Sequence, residues 1–218
     1  MTGPSHKLIG KLKKVDIMAK KEDLTQKRER QIYKAALKVF SKYGYYKADM
    51  DLVAQKAKIG KGTVYRYFKS KKNLFISLVK WGLNQLKDEI LTAIEDIDDE
   101  VKKITTALTV YFNFYKNKRD FYRILIYEKY NFMDEIAKEY EETYSAHLHI
   151  IEDVFQQGIQ KGIFKNIDTR SASFALVGIT DALLFKWLFE DKRFGFDDEL
   201  AALKEIFFNG ILVEKEDH

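Results

Sequence analysis

The sequence predicts an all-α chain, and three observations carry that prediction. Only one proline, Pro4, stands among 218 residues, and an internal proline damages helices more than any other residue. Apolar residues recur at three- and four-residue spacing in one segment after another, while no stretch shows the alternation of a half-buried strand. Hydrophobic residues make up 46% of the chain, enough to fill a core rather than leave the chain disordered.

Nine helices follow in order. Residues 1–24 form a basic extension with Lys7, Lys11, Lys13, Lys14, Lys20 and Lys21. It reads either as a mobile tail or as an arm lying along phosphates. A helix from about Thr25 to Tyr43 carries the stripe Ile32, Ala36, Val39, Phe40 and Tyr43, and Gly44 ends it as a left-handed cap. Asp49 caps Met50 to Ala57. A short turn, Lys58-Ile59-Gly60, leads to a second short helix, Lys61 to Phe68. Ser70 caps a long helix from Lys71 to about Ile94. The spacing then predicts helices near 100–116, 120–130 and 134–161, the last ended by Gly162. Asp168 caps a helix of about Thr169 to Glu190, and Asp197 or Asp198 caps one ending near Val213.

Composition excludes several classes of function. There is no cysteine, so disulfide scaffolds, zinc ribbons and thiol catalysis are excluded. The most apolar stretch, Phe174 to Phe189, is interrupted by Asp181 and Lys186, so no membrane span is expected. The N-terminus lacks a signal-peptide core, and a cytoplasmic protein is expected. No Gly-rich phosphate loop or Gly-x-Ser-x-Gly elbow appears. A di-iron bundle needs Glu-x-x-His pairs, but Tyr144 and Ala146 stand three residues before His147 and His149. The expectation is a protein that is not an enzyme, with no metal and no cofactor.

The net charge of +5 hides a division. Residues 1–73 carry 20 basic and 6 acidic side chains, a net of +14, and the remainder nets −9. Such a basic third points to a polyanionic partner. Within it, Asp49 to Phe68 has the dimensions of a helix-turn-helix. Gly62 lets backbone approach a duplex, Thr63 offers a hydroxyl and a methyl to a base edge, and Arg66 can fork onto guanine or phosphate.

The run Asp49-Met-Asp-Leu-Val-Ala-Gln-Lys-Ala-Lys-Ile-Gly-Lys-Gly-Thr-Val-Tyr-Arg-Tyr-Phe-Lys-Ser-Lys-Lys-Asn-Leu-Phe75 resembles the signature of the TetR family of transcriptional regulators. The resemblance covers about Thr25 to Val79. It implies a DNA-binding head at residues 25–70, with its helix-turn-helix at 49–68, and a ligand-binding and dimerisation body at 71–218. It implies a repressor that binds a palindromic double-stranded DNA operator as a homodimer and is released by a small effector. Carried over by position, Lys61, Gly62, Thr63 and Arg66 lie at or near base edges, and Tyr65, Tyr67 and Lys71 meet phosphates. Phe68 packs the head, and Tyr67 also has a packing reading. Asp49 and Gly60 depart from the usual hydroxyl residues, so neither is counted as a DNA contact. Lys58 replaces a frequent turn glycine.

In the body, Tyr111 to Phe132 holds nine aromatics in 22 residues, a density suited to a pocket wall or to a helical core. The pocket candidates are Tyr111, Asn113, Tyr115, Tyr122, Tyr127, His147 and Asp181, with Thr180 as a further polar group, and the effector expected is largely hydrophobic. The last two helices carry the dimer candidates Phe174, Val177, Leu184, Leu188, Leu200, Leu203, Phe207 and Ile211, with Gly178 and Gly210 permitting close helix approach. The rival reading is a sequence-tolerant architectural DNA-binding protein, which would need the basic head but not the aromatic body.

Overall fold

The structure, a computed structural model, describes residues 6–128, 133–189 and 196–211, with side chains for 23–127, 145, 148–188 and 197–211. Among the described residues there are nine α-helices and no strand. They are α1 (His6–Lys47), α2 (Met50–Lys56), α3 (Lys61–Tyr67), α4 (Lys71–Ile94), α5 (Glu100–Asn117), α6 (Arg119–Glu128), α7 (Met133–Gln160), α8 (Thr169–Phe189) and α9 (Phe196–Ile211). The chain divides into two compact units, Met1–Leu78 and Val79–His218, and the division falls inside α4.

In the first unit, α1 begins at His6 rather than near Thr25. The segment before Thr25 has no proline after Pro4, and Leu8, Leu12 and Val15 recur at i, i+4 and i+7, so both propensity and spacing favour helix there. Gly44 breaks the helical backbone with φ 69°, and one further turn runs to Lys47. Ile32, Val39 and Phe40 of α1, Val53 of α2, Val64 of α3 and Leu74, Phe75 and Leu78 of α4 fill the core. Phe40 meets the edge of Phe75 at 5.2 Å between centroids, and Tyr45 meets Phe75 at 5.3 Å. The Gln31 amide donates to the Ala57 carbonyl at 2.6 Å, tying the end of α2 to α1.

Local signals set the helix ends. Asp49 is extended, and its carboxylate accepts the Asp51 N–H at 2.9 Å. The Ser70 hydroxyl accepts the Asn73 N–H at 3.0 Å. After α2 the Ile59 N–H returns to the Ala54 carbonyl and the Lys58 N–H to Gln55, a Schellman closure. Lys58 stands at its left-handed position with φ 53°.

The second unit packs α5 to α9 with the part of α4 from Val79 onward. Phe112, Phe155, Phe164 and Leu184 are fully or almost fully buried. Phe121 of α6 lies against the backbone of Gly82, where any Cβ would stand 2.2 Å from the ring. Helix α7 ends in the same closure as α2, with Ile163 N–H to Gly158, Gly162 N–H to Ile159, and Gly162 at φ +69°. The Asp168 carboxylate caps α8 by accepting the Ser171 N–H at 2.8 Å. Asp197 and Asp198 do not precede α9, as expected of a cap; they lie inside its first turn, which starts at Phe196. Carboxylates there still stabilise the helix through its dipole.

Helix α8 departs from one sequence expectation. Over Thr169–Leu188 it is long and apolar enough to cross a membrane, Asp181 and Lys186 included, and only 28% of that window is buried. Both charges are engaged within the unit. Asp181 accepts the Tyr111 hydroxyl at 2.7 Å, and Lys186 pairs with Glu199 at 3.7 Å.

Candidate DNA-recognition helix and effector cavity

Helix α3 is held down by its own apolar side and turns the rest outward. Val64 is buried, and Phe68, just past its end, packs on Tyr33 at 5.2 Å. Lys61, Gly62, Tyr65 and Arg66 are exposed, while Thr63 and Tyr67 are half-buried. No atom lies within 4 Å of a Cβ built on Gly62, so its backbone is open to close approach. Arg66 sits over the Tyr67 ring, 5.6 Å from its centroid.

Two of the basic candidates already have partners. The Lys61 ammonium contacts the Asp51 carboxylate at 2.8 Å, and that hydrogen bond raises the lysine pKa above its ordinary value. Lys71 donates to the Tyr46 and Ala48 carbonyls, both at 3.0 Å, and lies 4.8 Å from the centre of the Tyr45 ring. Beside the phosphate contact expected from sequence, Lys71 has a use within the chain: it ties the start of α4 to the end of α1.

The second unit contains a cavity walled by α4, α5, α6, α7 and α8. Most of its lining is apolar, including Leu83, Leu86, Ile90, Leu108, Leu148, Val154 and Leu176. Of the pocket candidates, Tyr111, Tyr115, Tyr122 and Asp181 line it, as does Thr180. Tyr115 stands 4.9 Å from both Tyr111 and Tyr122, centroid to centroid. The Tyr111 hydroxyl donates to the Asp181 carboxylate, and the Tyr122 hydroxyl donates to the Asp181 carbonyl at 3.2 Å. Burial raises the Tyr111 pKa well above its ordinary value, and the nearby Tyr115 and Asp181 push it further up. The Thr180 hydroxyl is turned back onto its own helix, donating to the Leu176 carbonyl at 2.6 Å.

Other pocket candidates fall elsewhere. Asn113 and Tyr127 are exposed and absent from the lining, because each lies on the outward face of its helix. The side chain of His147, together with Tyr130 and Phe132, lies outside the described residues. The lining also includes two residues that the sequence reading missed, Lys87 and Lys103. A lysine on an amphipathic helix reads as solvated, so no sequence signal marked them.

The dimer candidates need a shift of face. Leu184, Leu188, Leu200, Leu203 and Phe207 are buried within the chain, Val177 lines the cavity, and Ile211 is half-buried. Of that set, Phe174 is the exposed one, at 45%. The exposed large apolar side chains here are Phe174 and Phe185, which share one side of α8, Ile179 on another side of it, and Ile206, 72% exposed, on α9. Nothing approaches within 4 Å of a Cβ built on Gly178 or Gly210. Helix α8 is apolar all round, so its spacing fits either face equally.

Comparisons with known proteins agree with this division. Residues 32–78 match the family of bacterial regulatory proteins of the tetR type, and residues 98–190 match a tetracyclin repressor-like C-terminal domain. The fatty acid metabolism regulator protein of Bacillus subtilis is 25% identical over 86% of this chain and 98% of its own length. The structure of the fatty acid degradation regulator FadR from Bacillus halodurans superposes with a TM-score of 0.77 at 22% identity, covering 83% of this chain and 98% of that one. FadR from Bacillus subtilis in complex with stearoyl-CoA gives 0.75 at 23% identity, with the same coverage. Two matched segments that together span the helix-turn-helix and most of the cavity-bearing unit leave one assignment: the chain belongs to the TetR family of transcriptional regulators.

Proposed function

We propose that this regulator is a repressor that binds a palindromic operator as a homodimer and leaves it when a long-chain acyl compound occupies the cavity. Residues 25–70 serve as the DNA-binding head and 71–218 as the effector-binding and dimerisation body. It works in the cytoplasm, where its DNA target lies. The observation that carries the effector reading is the apolar lining of the cavity, which suits a hydrocarbon chain better than a polar metabolite. The similarity to the Bacillus subtilis regulator, whose structure holds stearoyl-CoA, supports the same class.

On the DNA side, Gly62, Thr63 and Arg66 lie at or near base edges, and Tyr65, Tyr67 and Lys71 meet phosphates. Lys61, expected from sequence near a base edge, meets the backbone instead, because Asp51 holds its ammonium. The exposed apolar face of α8 and α9 pairs with its copy about a two-fold axis. A two-fold dimer matches a two-fold operator.

Selection from random duplexes, followed by titration with stearoyl-CoA, tests this reading. The expected result is a two-fold symmetric site whose complex dissociates on adding the acyl compound. Equal binding to all duplexes would favour the architectural alternative. A monomer by light scattering at micromolar concentration would refute the dimer.

A further inference from the structure

We infer that Lys103 receives the anionic end of the effector, and that Glu100 is the counter-ion it leaves to do so. The inference rests on the acyl reading and adds that the effector must carry negative charge at one end. Lys103 lines the cavity with a side chain only 18% exposed. Its ammonium stands 3.8 Å from the Glu100 carboxylate. At that distance the two are an ion pair without a hydrogen bond, so the ammonium keeps its donors available.

Glu100 has a tighter partner. Lys161 contacts the same oxygen, Oε1, at 2.7 Å and also donates to the Asp98 carbonyl at 3.3 Å. Burial pushes the Glu100 pKa up, but the Lys161 hydrogen bond, a backbone hydrogen bond and the two lysine charges outweigh it and hold the carboxyl below its ordinary range. Glu100 is fully buried, and its Oε2 has no hydrogen-bond partner among the described residues. One carboxylate is thus shared by two ammonium groups, and of the lysines only Lys103 and Lys87 line the cavity wall. Lys87 and Lys103 face one lining carboxylate, Asp181, so the cavity wall carries one net positive charge before any ligand arrives. An incoming anion can take Lys103 and leave Glu100 still bonded to Lys161. A neutral ligand gains nothing from that exchange.

The chemistry does not distinguish a carboxylate from the phosphates of a thioester carrier, so the test uses both. Affinities of the full chain are measured for stearate, stearoyl-CoA and stearyl alcohol, by displacement of a fluorescent acyl probe. The wild type is expected to bind one or both anions at least about tenfold more tightly than the alcohol, in line with a charged hydrogen bond. Whichever anion is favoured identifies the source. Lys103→Gln is expected to remove that preference and leave the alcohol unchanged, while Lys103→Arg restores it. Glu100→Gln removes the competing carboxylate and is expected to tighten anion binding several-fold. Circular dichroism checks that each variant remains helical. Equal loss for anion and alcohol in Lys103→Gln, or no loss at all, would overturn the role of Lys103. If the wild type binds the alcohol as well as either anion, the acyl reading stands and the charge reading fails. If it binds none of the three, the acyl reading itself fails.

Discussion

One unit turns its irregular features outward and the other turns them inward. The first fills its centre with Phe40, Phe75, Leu74 and Leu78 and turns its exceptions outward. Those exceptions are a lysine in a left-handed turn, an ion pair at the start of α3, and an ammonium tied to two carbonyls. The second unit turns its exceptions inward: a cavity, a buried glutamate and a tyrosine bonded to an aspartate. A surface that must match a rigid duplex needs a firm base beneath it. A unit that must admit a ligand needs space and charge kept from water. The difference predicts where substitutions hurt folding and where they alter sensing.

The largest contrast should come from paired truncations. Phe40→Ala removes a fully buried ring from a filled core, and such changes typically cost about 3–5 kcal/mol. Leu108→Ala removes a side chain that already borders open space. Its cost should fall near about 2 kcal/mol, the low end for Leu→Ala, and it should change acyl affinity. Denaturant unfolding, with hydrogen exchange resolved by peptide, separates the two. Equal losses would mean that the cavity wall is as tightly supported as the core of the first unit.

Lys71 sharpens the same point. Its hydrogen bonds to the Tyr46 and Ala48 carbonyls predict that Lys71→Ala destabilises the first unit by about 1.5–3 kcal/mol, the range for hydrogen bonds to charged groups. Lys61→Ala should leave stability nearly unchanged, since the Lys61–Asp51 pair is solvent-exposed. It should instead reduce the salt slope of DNA binding by about one. If Lys71→Ala lowered the salt slope and spared stability, the two lysines would have exchanged roles.

Glu100 supplies the pH test for the second unit. Its folded-state pKa lies below the ordinary carboxylate value of 4.5. It therefore stabilises the fold above that value, and the contribution is lost as pH falls through the folded-state pKa. The melting temperature of the wild type should exceed that of Glu100→Gln near neutrality, and the gap should narrow as the pH falls from 4.5 through the folded-state pKa. A gap that persisted in acid would show that the glutamine loses shape complementarity rather than charge.

How much of this could be read beforehand varies with the kind of signal. Helix α4 was legible end to end, from the Ser70 cap to Ile94, because caps and stripes are local. The exposed residues of α3 were legible because Val64 and Phe68 mark the buried side of so short a helix. The buried face of α8 was not, since a helix apolar all round carries no direction; its expected interface leucines turned out to be core. Aromatic density marked the segment from Tyr111 onward, three of whose tyrosines line the cavity, but density does not say which face of a helix a ring occupies. Tyr115 therefore lines the cavity and Tyr127 does not. Lys87, Lys103 and the burial of Glu100 depend on distant neighbours, and no local pattern reports those.

The smallest expected effect is also the most direct comparison between the units. Helices α2 and α7 end in the same closure, one with Lys58 at φ 53° and the other with Gly162 at φ +69°. A side chain in that conformation costs roughly 1–2 kcal/mol. Replacing it with glycine gives back about 0.5–1 kcal/mol in unfolded-chain entropy. Lys58→Gly should therefore stabilise the first unit by no more than about 1 kcal/mol, and Gly162→Ala should destabilise the second by a similar amount. If stability were the only constraint, glycine would be favoured at both positions. Lysine at one of them sits in the turn that leads into α3, on a surface whose proposed partner is a polyanion. Lys58→Gly should then weaken binding to all duplexes alike and lower the salt slope by about one. A variant that gained stability and lost no DNA affinity would leave the strained lysine without a purpose in this interface.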